Sequence, residues 1–145
     1  MMLDFKVKSI IKDCVPVLRE RGVELTENFY NLMFTNNPEV RPLFDEDRQK
    51  SGKQAKALAA SLLAVAQNID NLEKILPTVK KIGESHVKAK VLPEHYPIVG
   101  KNLLLAIKET LGDTATDDVI NAFSEVYTYI SKIFIDVEKE LYNNI

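Results

Sequence analysis

Apolar side chains recur every three or four positions along most of the chain, and strict alternation persists for no more than four or five residues. Spacing of that kind gathers the apolar groups on one side of a helix, whereas alternation would mark a half-buried strand. The pattern predicts an all-α protein. Val7, Ile11, Cys14, Val15 and Leu18 form the first stripe, and Gly22 is expected to close that helix. A second helix over 23–35 is apolar on most sides through Leu25, Phe29, Tyr30, Leu32, Met33 and Phe34, which places it in the middle of the molecule. Asn37, Pro38 and Glu39 supply a cap, a first-turn proline and a first-turn acid, so a short helix should run to about Phe44. The polar stretch 45–53 reads as a mobile loop. Ser51 and Gln54 then have capping-box spacing ahead of Leu58, Leu62, Val65 and Ile69.

Further on, Ile75, Val79, Ile82 and His86 share one face. Pro93 and Pro97 mark the start of a helix that aligns Tyr96, Val99, Leu103 and Ile107. Thr114 and Thr116 ahead of Asp117 signal the start of a long last helix, with Val119, Phe123, Val126, Ile130, Val137 and Leu141 on one side. Six substantial helices and one or two short ones are expected, with no repeat, low-complexity tract or linker.

A chain of 145 residues has room for a single domain, 1–145. Its five glycines and six prolines fall largely between the periodic segments, as in a helical protein. Nineteen basic side chains against 21 acidic ones leave no basic excess to neutralise phosphates, which argues against a nucleic-acid partner. The one cysteine, Cys14, excludes an internal disulfide and a cysteine-built zinc site, and it reads as packing in the first helix. The start of the chain lacks the apolar core of a signal peptide, and no apolar run approaches the ~20 residues of a membrane span. A cytoplasmic location is expected.

Chemistry centres on the histidines. His86 continues the stripe of Ile75, Val79 and Ile82 while Lys80, Lys81, Glu84 and Lys88 face away, so its imidazole points inward. A buried imidazole must satisfy a donor and an acceptor nitrogen; a backbone carbonyl would serve the first and a metal is one good partner for the second. His95, flanked by Pro93, Glu94 and Pro97, is expected to be solvated. With one inward histidine, and with neither an H-E-x-x-H motif nor paired cysteines, tetrahedral zinc lacks ligands. A lone histidine can still hold a metal whose other ligands come from a macrocycle, as in haem.

The run Leu25-Thr26-Glu27-Asn28-Phe29-Tyr30, then Asn37-Pro38-Glu39-Val40-Arg41-Pro42-Leu43-Phe44, Gln54 with Leu58, His86, His95-Tyr96-Pro97-Ile98-Val99-Gly100, and Glu138-Lys139-Glu140-Leu141-Tyr142 resembles the bacterial single-domain haemoglobins, the Vitreoscilla type among them, and the globin domain of flavohaemoglobins. The likeness runs over about 3–142. It implies a globin fold of six to eight helices crossing at about 50° around haem b. Position by position, His86 matches the iron ligand, Phe44 the aromatic that packs on haem, Tyr30 the distal tyrosine, and Gln54 and Leu58 further distal residues. Tyr96 and Glu138 match the pair around the proximal histidine. Leu43, Ile82, Val91, Val99 and Leu103 complete the implied haem contacts.

The spacing itself leaves alternatives. Gln54 either faces the ligand beside Leu58 or caps its helix on Ser51, and Tyr30 is either a ligand donor or a core tyrosine. Glu138 sits about 80° from the centre of the last helix's stripe, where a carboxylate can reach an inner histidine. Glu140, on the other boundary, is its rival.

The resemblance implies oxygen binding with Tyr30, and Gln54 in support, donating to the bound ligand. With Glu138 strengthening His86, it further implies nitric oxide dioxygenation to nitrate; oxygen storage or delivery to a terminal oxidase is the competing function. Dioxygen, nitric oxide and a separate reductase are the expected partners, because the chain ends at Ile145 without a reductase segment; a homodimer stays open. Two departures stand out. Phe123 occupies a position where the family often has tryptophan, and Ser85 stands where the Vitreoscilla member has lysine, which removes a propionate partner there.

Overall fold

Asp4 opens the first helix, its carboxylate accepting a hydrogen bond from the Lys6 backbone N–H at 3.3 Å. The computed structural model describes residues 3–144. The expectations resting on Met1, Met2 and Ile145 lie outside the described residues. In chain order the elements are α1 (Phe5–Asp13), α2 (Val15–Asn36), a 3-10 turn (Pro38–Leu43), α3 (Glu46–Ser51), α4 (Lys53–Gln67), a 3-10 turn (Leu72–Ile75), α5 (Leu76–Lys88), α6 (His95–Leu111), a 3-10 turn (Gly112–Thr114) and α7 (Asp117–Asn143). The all-helical expectation holds, and no strand occurs among the described residues.

The first helix boundary differs from the reading at Gly22. The break falls at Cys14, because Pro16 occupies the first turn of α2. A prolyl ring donates no hydrogen bond and collides with the carbonyl four residues back, so the helix must restart there. Cys14 therefore sits buried in the break between α1 and α2, its thiol pKa raised by burial and by Asp13. Gly22 lies inside α2, where a Cβ would come to 3.5 Å from that of Ala59 on α4.

The 45–53 segment also differs from expectation, since most of it is helical. Asp45 caps α3 by accepting from the Arg48 backbone N–H at 3.0 Å, and Glu46 and Asp47 place negative charge at the positive end of the helix dipole. Gly52, at φ 79°, ends it in the left-handed region that glycine adopts without strain. Because Ser51 is thereby the last residue of α3, the expected capping box does not form: Gln54 bonds Arg48 instead. Ile69 falls beyond the end of α4, though it is buried. The Thr116 cap of α7 is as expected, accepting from the Val119 N–H at 3.3 Å.

Central placement of α2 is as expected: it packs against α4 and α6 and buries Leu25, Phe29 and Met33. The buried Thr26 hydroxyl lies 2.8 Å from the Ala55 carbonyl of α4. Asn28 donates to Thr110 of α6 at 2.9 Å. Fully buried Asn102 reaches Asn36, Asn37 and the Ile98 carbonyl, which ties the end of α2 to α6. Asn37 is thus spent on Asn102 and not on capping the 3-10 turn.

α5 stands apart from this core and leans on α7, where Gly83 permits the approach: a Cβ there would lie 3.2 Å from Val137 Cγ1. Ile82, Val91 and Phe134 are half-buried, and none of them joins the main core cluster. On the core side, Leu43, Phe44, Leu58 and Val99 are likewise half-buried. No helix among the described residues is long and apolar enough to cross a membrane.

Candidate functional site

Three side chains from three helices meet beside α5. His86 Nδ1 lies 2.7 Å from Glu138 Oε2 and 3.1 Å from the Tyr96 hydroxyl, and that hydroxyl is 2.8 Å from both Glu138 oxygens. Glu138 is only 3 % exposed. A buried carboxylate is tolerable only when charge-assisted hydrogen bonds replace its water. Glu140 faces solvent, so Glu138 is the acid that reaches the histidine.

The proton positions follow from the network. Burial, together with the adjacent Glu138 carboxylate, pushes the Tyr96 phenol far above its ordinary pKa. Tyr96 therefore keeps its single proton and donates it in a hydrogen bond to Glu138. The proton on the His86–Glu138 contact must then come from the ring, so Nδ1–H donates to the carboxylate. In the neutral imidazole that leaves the Nε2 lone pair uncommitted, and no described residue bonds to it. The histidine's partner is a carboxylate, not the backbone carbonyl also considered from the sequence.

Surrounding groups hold this arrangement in place. Phe134 stacks on Tyr96 at 6.4 Å between ring centroids and lies 5.5 Å from His86. The Tyr127 hydroxyl donates to the Tyr96 carbonyl at 2.7 Å, its ring lying over Gly100 so closely that a Cβ would sit 2.6 Å from Cε2. The Tyr142 hydroxyl donates to the Val91 carbonyl at 2.6 Å, fastening the segment after α5 to the end of α7. His95, expected in solvent, is half-buried; its Nδ1 accepts from the Leu92 N–H at 2.8 Å, where the chain turns into α6. Ser85 is exposed and Phe123 is buried in the core.

A second group belongs to the main core. Tyr30 is 6 % exposed and meets Phe44 edge-on, with ring centroids 5.6 Å apart. Phe34 packs on both rings and carries the Arg41 guanidinium over its own face at 4.4 Å. Gln54 and Leu58, four residues apart on α4, are both half-buried. Burial pushes the Tyr30 pKa up to about 12, against the pull of the neighbouring Gln54 side chain and the Arg48 charge. The structure thus gathers His86, Tyr96 and Glu138 in one cluster, and Tyr30, Phe44 and Gln54 with Arg48 in another. No hydrogen bond joins the two among the described residues. Leu103 belongs to the main core, with Val99 packed against it.

Arg48, Tyr127, Phe134 and Tyr142 were not assigned roles from the sequence. Arg48 was legible through the spacing of Asp45 and Gly52 around a short helix, and Tyr127 is the immediate neighbour of the stripe residue Val126.

Residues 27–134 match the family model described as globin. The chain belongs to the globin family. This globin is 52 % identical to the flavohemoprotein of Oceanobacillus iheyensis over 143 residues, covering 99 % of this chain and 35 % of that protein. It is 48 % identical to the Bacillus subtilis flavohemoprotein, covering 97 % and 35 %. The globin therefore spans about a third of the length of these curated relatives. Among solved structures, a bacterial globin from Campylobacter jejuni superposes with a TM-score of 0.91 at 45 % identity, covering 97 % of this chain and 99 % of that one. An engineered carbene transferase, built on a candidate nitric oxide dioxygenase from Rhodothermus marinus, gives 0.92 at 31 % identity, with 98 % and 97 % covered. The flavohemoglobin of Malassezia yamatoensis, with bound FAD and haem, gives 0.90 at 31 % identity, covering 99 % of this chain and 38 % of that one.

Proposed function

We propose that this globin holds haem b through His86 Nε2 and, in the cytoplasm, converts nitric oxide and dioxygen to nitrate, drawing electrons from a separate reductase. The observation that carries the reading is the 2.7 Å contact between His86 Nδ1 and the buried Glu138. Among the described residues no three His, Cys, Asp or Glu side chains assemble as a metal cage, so the donor set at His86 is a single imidazole nitrogen. One axial nitrogen suits a metal that arrives with a macrocycle. The half-buried apolar residues Leu43, Phe44, Leu58 and Val99 on the core side, with Ile82 and Val91 near His86, offer the faces that a flat apolar group would cover.

When bound, haem iron supplies the dioxygen-binding and oxidation chemistry. The chain's residues supply the rest. Glu138 accepts a hydrogen bond from His86 Nδ1–H and raises the basicity of Nε2, so the imidazole is a stronger electron donor than one resting on a neutral carbonyl. Tyr96 donates to the same carboxylate and fixes its orientation, leaving the ring one preferred rotation. Tyr30 stays protonated through the physiological range and donates to negative charge on a diatomic ligand, a bond to a charged acceptor worth about 1.5–3 kcal/mol. Leu58, Phe44 and Leu103 keep that neighbourhood apolar, which strengthens the donation.

Reconstitution with haemin, followed by nitric oxide consumption in the presence of dioxygen and an electron-donating reductase, tests this. A Soret band and nitrate formed in step with the nitric oxide consumed are expected. Failure to take up haemin overturns the reading. Haem uptake with rapid, reversible oxygen exchange and no sustained nitric oxide turnover would establish oxygen storage or delivery in its place.

A further inference from the structure

We infer that the lysines of α5 and of the turn after it form the docking face for the electron donor, and that this donor presents an acidic surface. The inference rests on the haem-binding reading and names the kind of partner which that reading needs. The segment 76–92 holds four lysines, Lys80, Lys81, Lys88 and Lys90, against one acid, Glu84. It therefore carries a formal charge of +3 in a chain of net −2, which leaves −5 on the rest. All four lysines are exposed, and none joins an ion pair among the described residues. Lys80, Glu84 and Lys88 follow one another at four-residue spacing, so with Lys81 they share the solvent side of α5, opposite the side that carries His86. The next acid along the chain is Glu94, just ahead of α6.

Lys90 supplies an independent observation. At φ 66° it is the one non-glycine residue in the left-handed region among the described residues. The Val91 N–H donates to the His86 carbonyl at 2.9 Å and the Lys90 N–H to the Val87 carbonyl at 3.0 Å. Those two bonds define a helix-ending turn whose left-handed position ordinarily takes glycine. A lysine there strains the backbone, and no ion pair within the fold holds its side chain in return. What it adds over glycine is a cation, displayed on a turn that is bonded to the backbone of the proposed iron ligand. Leu92, 41 % exposed, lies two residues beyond, so the lysines border an apolar spot, as in docking surfaces with a charged rim. Attraction between this face and carboxylates on a donor raises the rate of encounter and fades as salt is added. In each productive encounter one electron leaves the donor and ferric haem becomes ferrous.

Ferric, haem-loaded protein is mixed anaerobically with a reduced flavodoxin, a small acidic flavin carrier, and the second-order rate of haem reduction is followed in the Soret band at rising salt. Replacing Lys80, Lys81, Lys88 and Lys90 by glutamine should slow reduction on the order of tenfold at low ionic strength, the difference closing by ~0.5 M salt. A control with glutamine at the exposed Lys53, Lys56, Lys101 and Lys108 changes net charge equally and should stay within about twofold of wild type. Lys90→Gly separates docking from structure: relief of the left-handed backbone should raise the urea midpoint while reduction by flavodoxin slows. Equal slowing in the two four-lysine variants, a salt-independent rate, a wild-type rate in Lys90→Gly, or no reduction of the wild type by flavodoxin overturns the inference while leaving haem binding intact. If the first variant keeps the wild-type reduction rate but no longer sediments with phosphatidylglycerol vesicles, the face belongs to an anionic membrane and the inference is overturned. A wild-type chain that takes up no haemin removes both readings.

Discussion

Glu138 Oε2 lies 2.7 Å from His86 Nδ1, on a carboxylate 3 % exposed to solvent. In Glu138→Gln the hydrogen-bond geometry can be kept while the negative charge is lost, so less electron density reaches Nε2. The reduction potential of the haem-loaded protein should rise by on the order of 50 mV, near the one-electron equivalent of about 1 kcal/mol. Spectroelectrochemical titration reads this directly, and an unchanged potential would remove Glu138 from the tuning of the site.

Alkaline pH should destabilise the fold through its buried phenols. Tyr30 is pushed from the usual 10.0 to about 12, and Tyr96 and Tyr127 are also pushed up, in each case chiefly by burial. Above pH ~10 the unfolded chain releases these protons and the folded chain keeps them, so the folded state binds more protons and stability falls as pH rises. Each such phenol contributes a slope of about 1.4 kcal/mol per pH unit until its folded form ionises. Tyr30→Phe should flatten the fall between pH 10 and 12 in urea-midpoint measurements. A slope equal to that of wild type would contradict the burial-driven shift.

Two buried helical glycines should respond to alanine with opposite signs. At Gly22 a Cβ meets Ala59 at 3.5 Å, an ordinary contact, so Gly22→Ala should stabilise by about 0.5–1 kcal/mol through helix propensity. At Gly100 the added carbon would sit 2.6 Å from Tyr127 Cε2, and Gly100→Ala should destabilise by about 1–3 kcal/mol. Trimming the ring with Tyr127→Leu should recover part of that loss. Denaturant unfolding of the four variants, the double variant included, checks both signs and the coupling.

Asn102→Leu should cost about 1–3 kcal/mol in thermal or denaturant unfolding, because Asn36, Asn37 and the Ile98 carbonyl all lose their partner at a site with no exposure. The effect belongs to the corner leading into the Pro38–Leu43 turn and Phe44. Asn28→Ala, on the other side of the α2 and α6 contact, should cost less, since only one hydrogen bond is lost.

What could be read from the sequence followed the strength of the apolar period. The stripe of α5 aimed His86 inward, and the boundary position of Glu138 placed a carboxylate within its reach. Choosing Glu138 over Glu140 needed the tertiary approach that Gly83 permits. The α1 to α2 break escaped because Val7, Ile11, Cys14 and Leu18 face one core on both sides of it, so the stripe runs through a real interruption. α3 escaped for the reverse reason: an exposed six-residue helix has no apolar face, and only its caps at Asp45 and Gly52 mark it. Arg48 was hidden with it, and the Tyr127 clamp on Tyr96 becomes visible only once α6 and α7 are packed.

α5 bears the proposed iron ligand yet rests mainly on α7. Before a prosthetic group is inserted, its backbone amides lie outside the main core, so deuterium uptake should be quicker there than in α2. Occupancy would then complete the fold as a keystone completes an arch, and apparent stability would climb with haemin concentration by simple mass action.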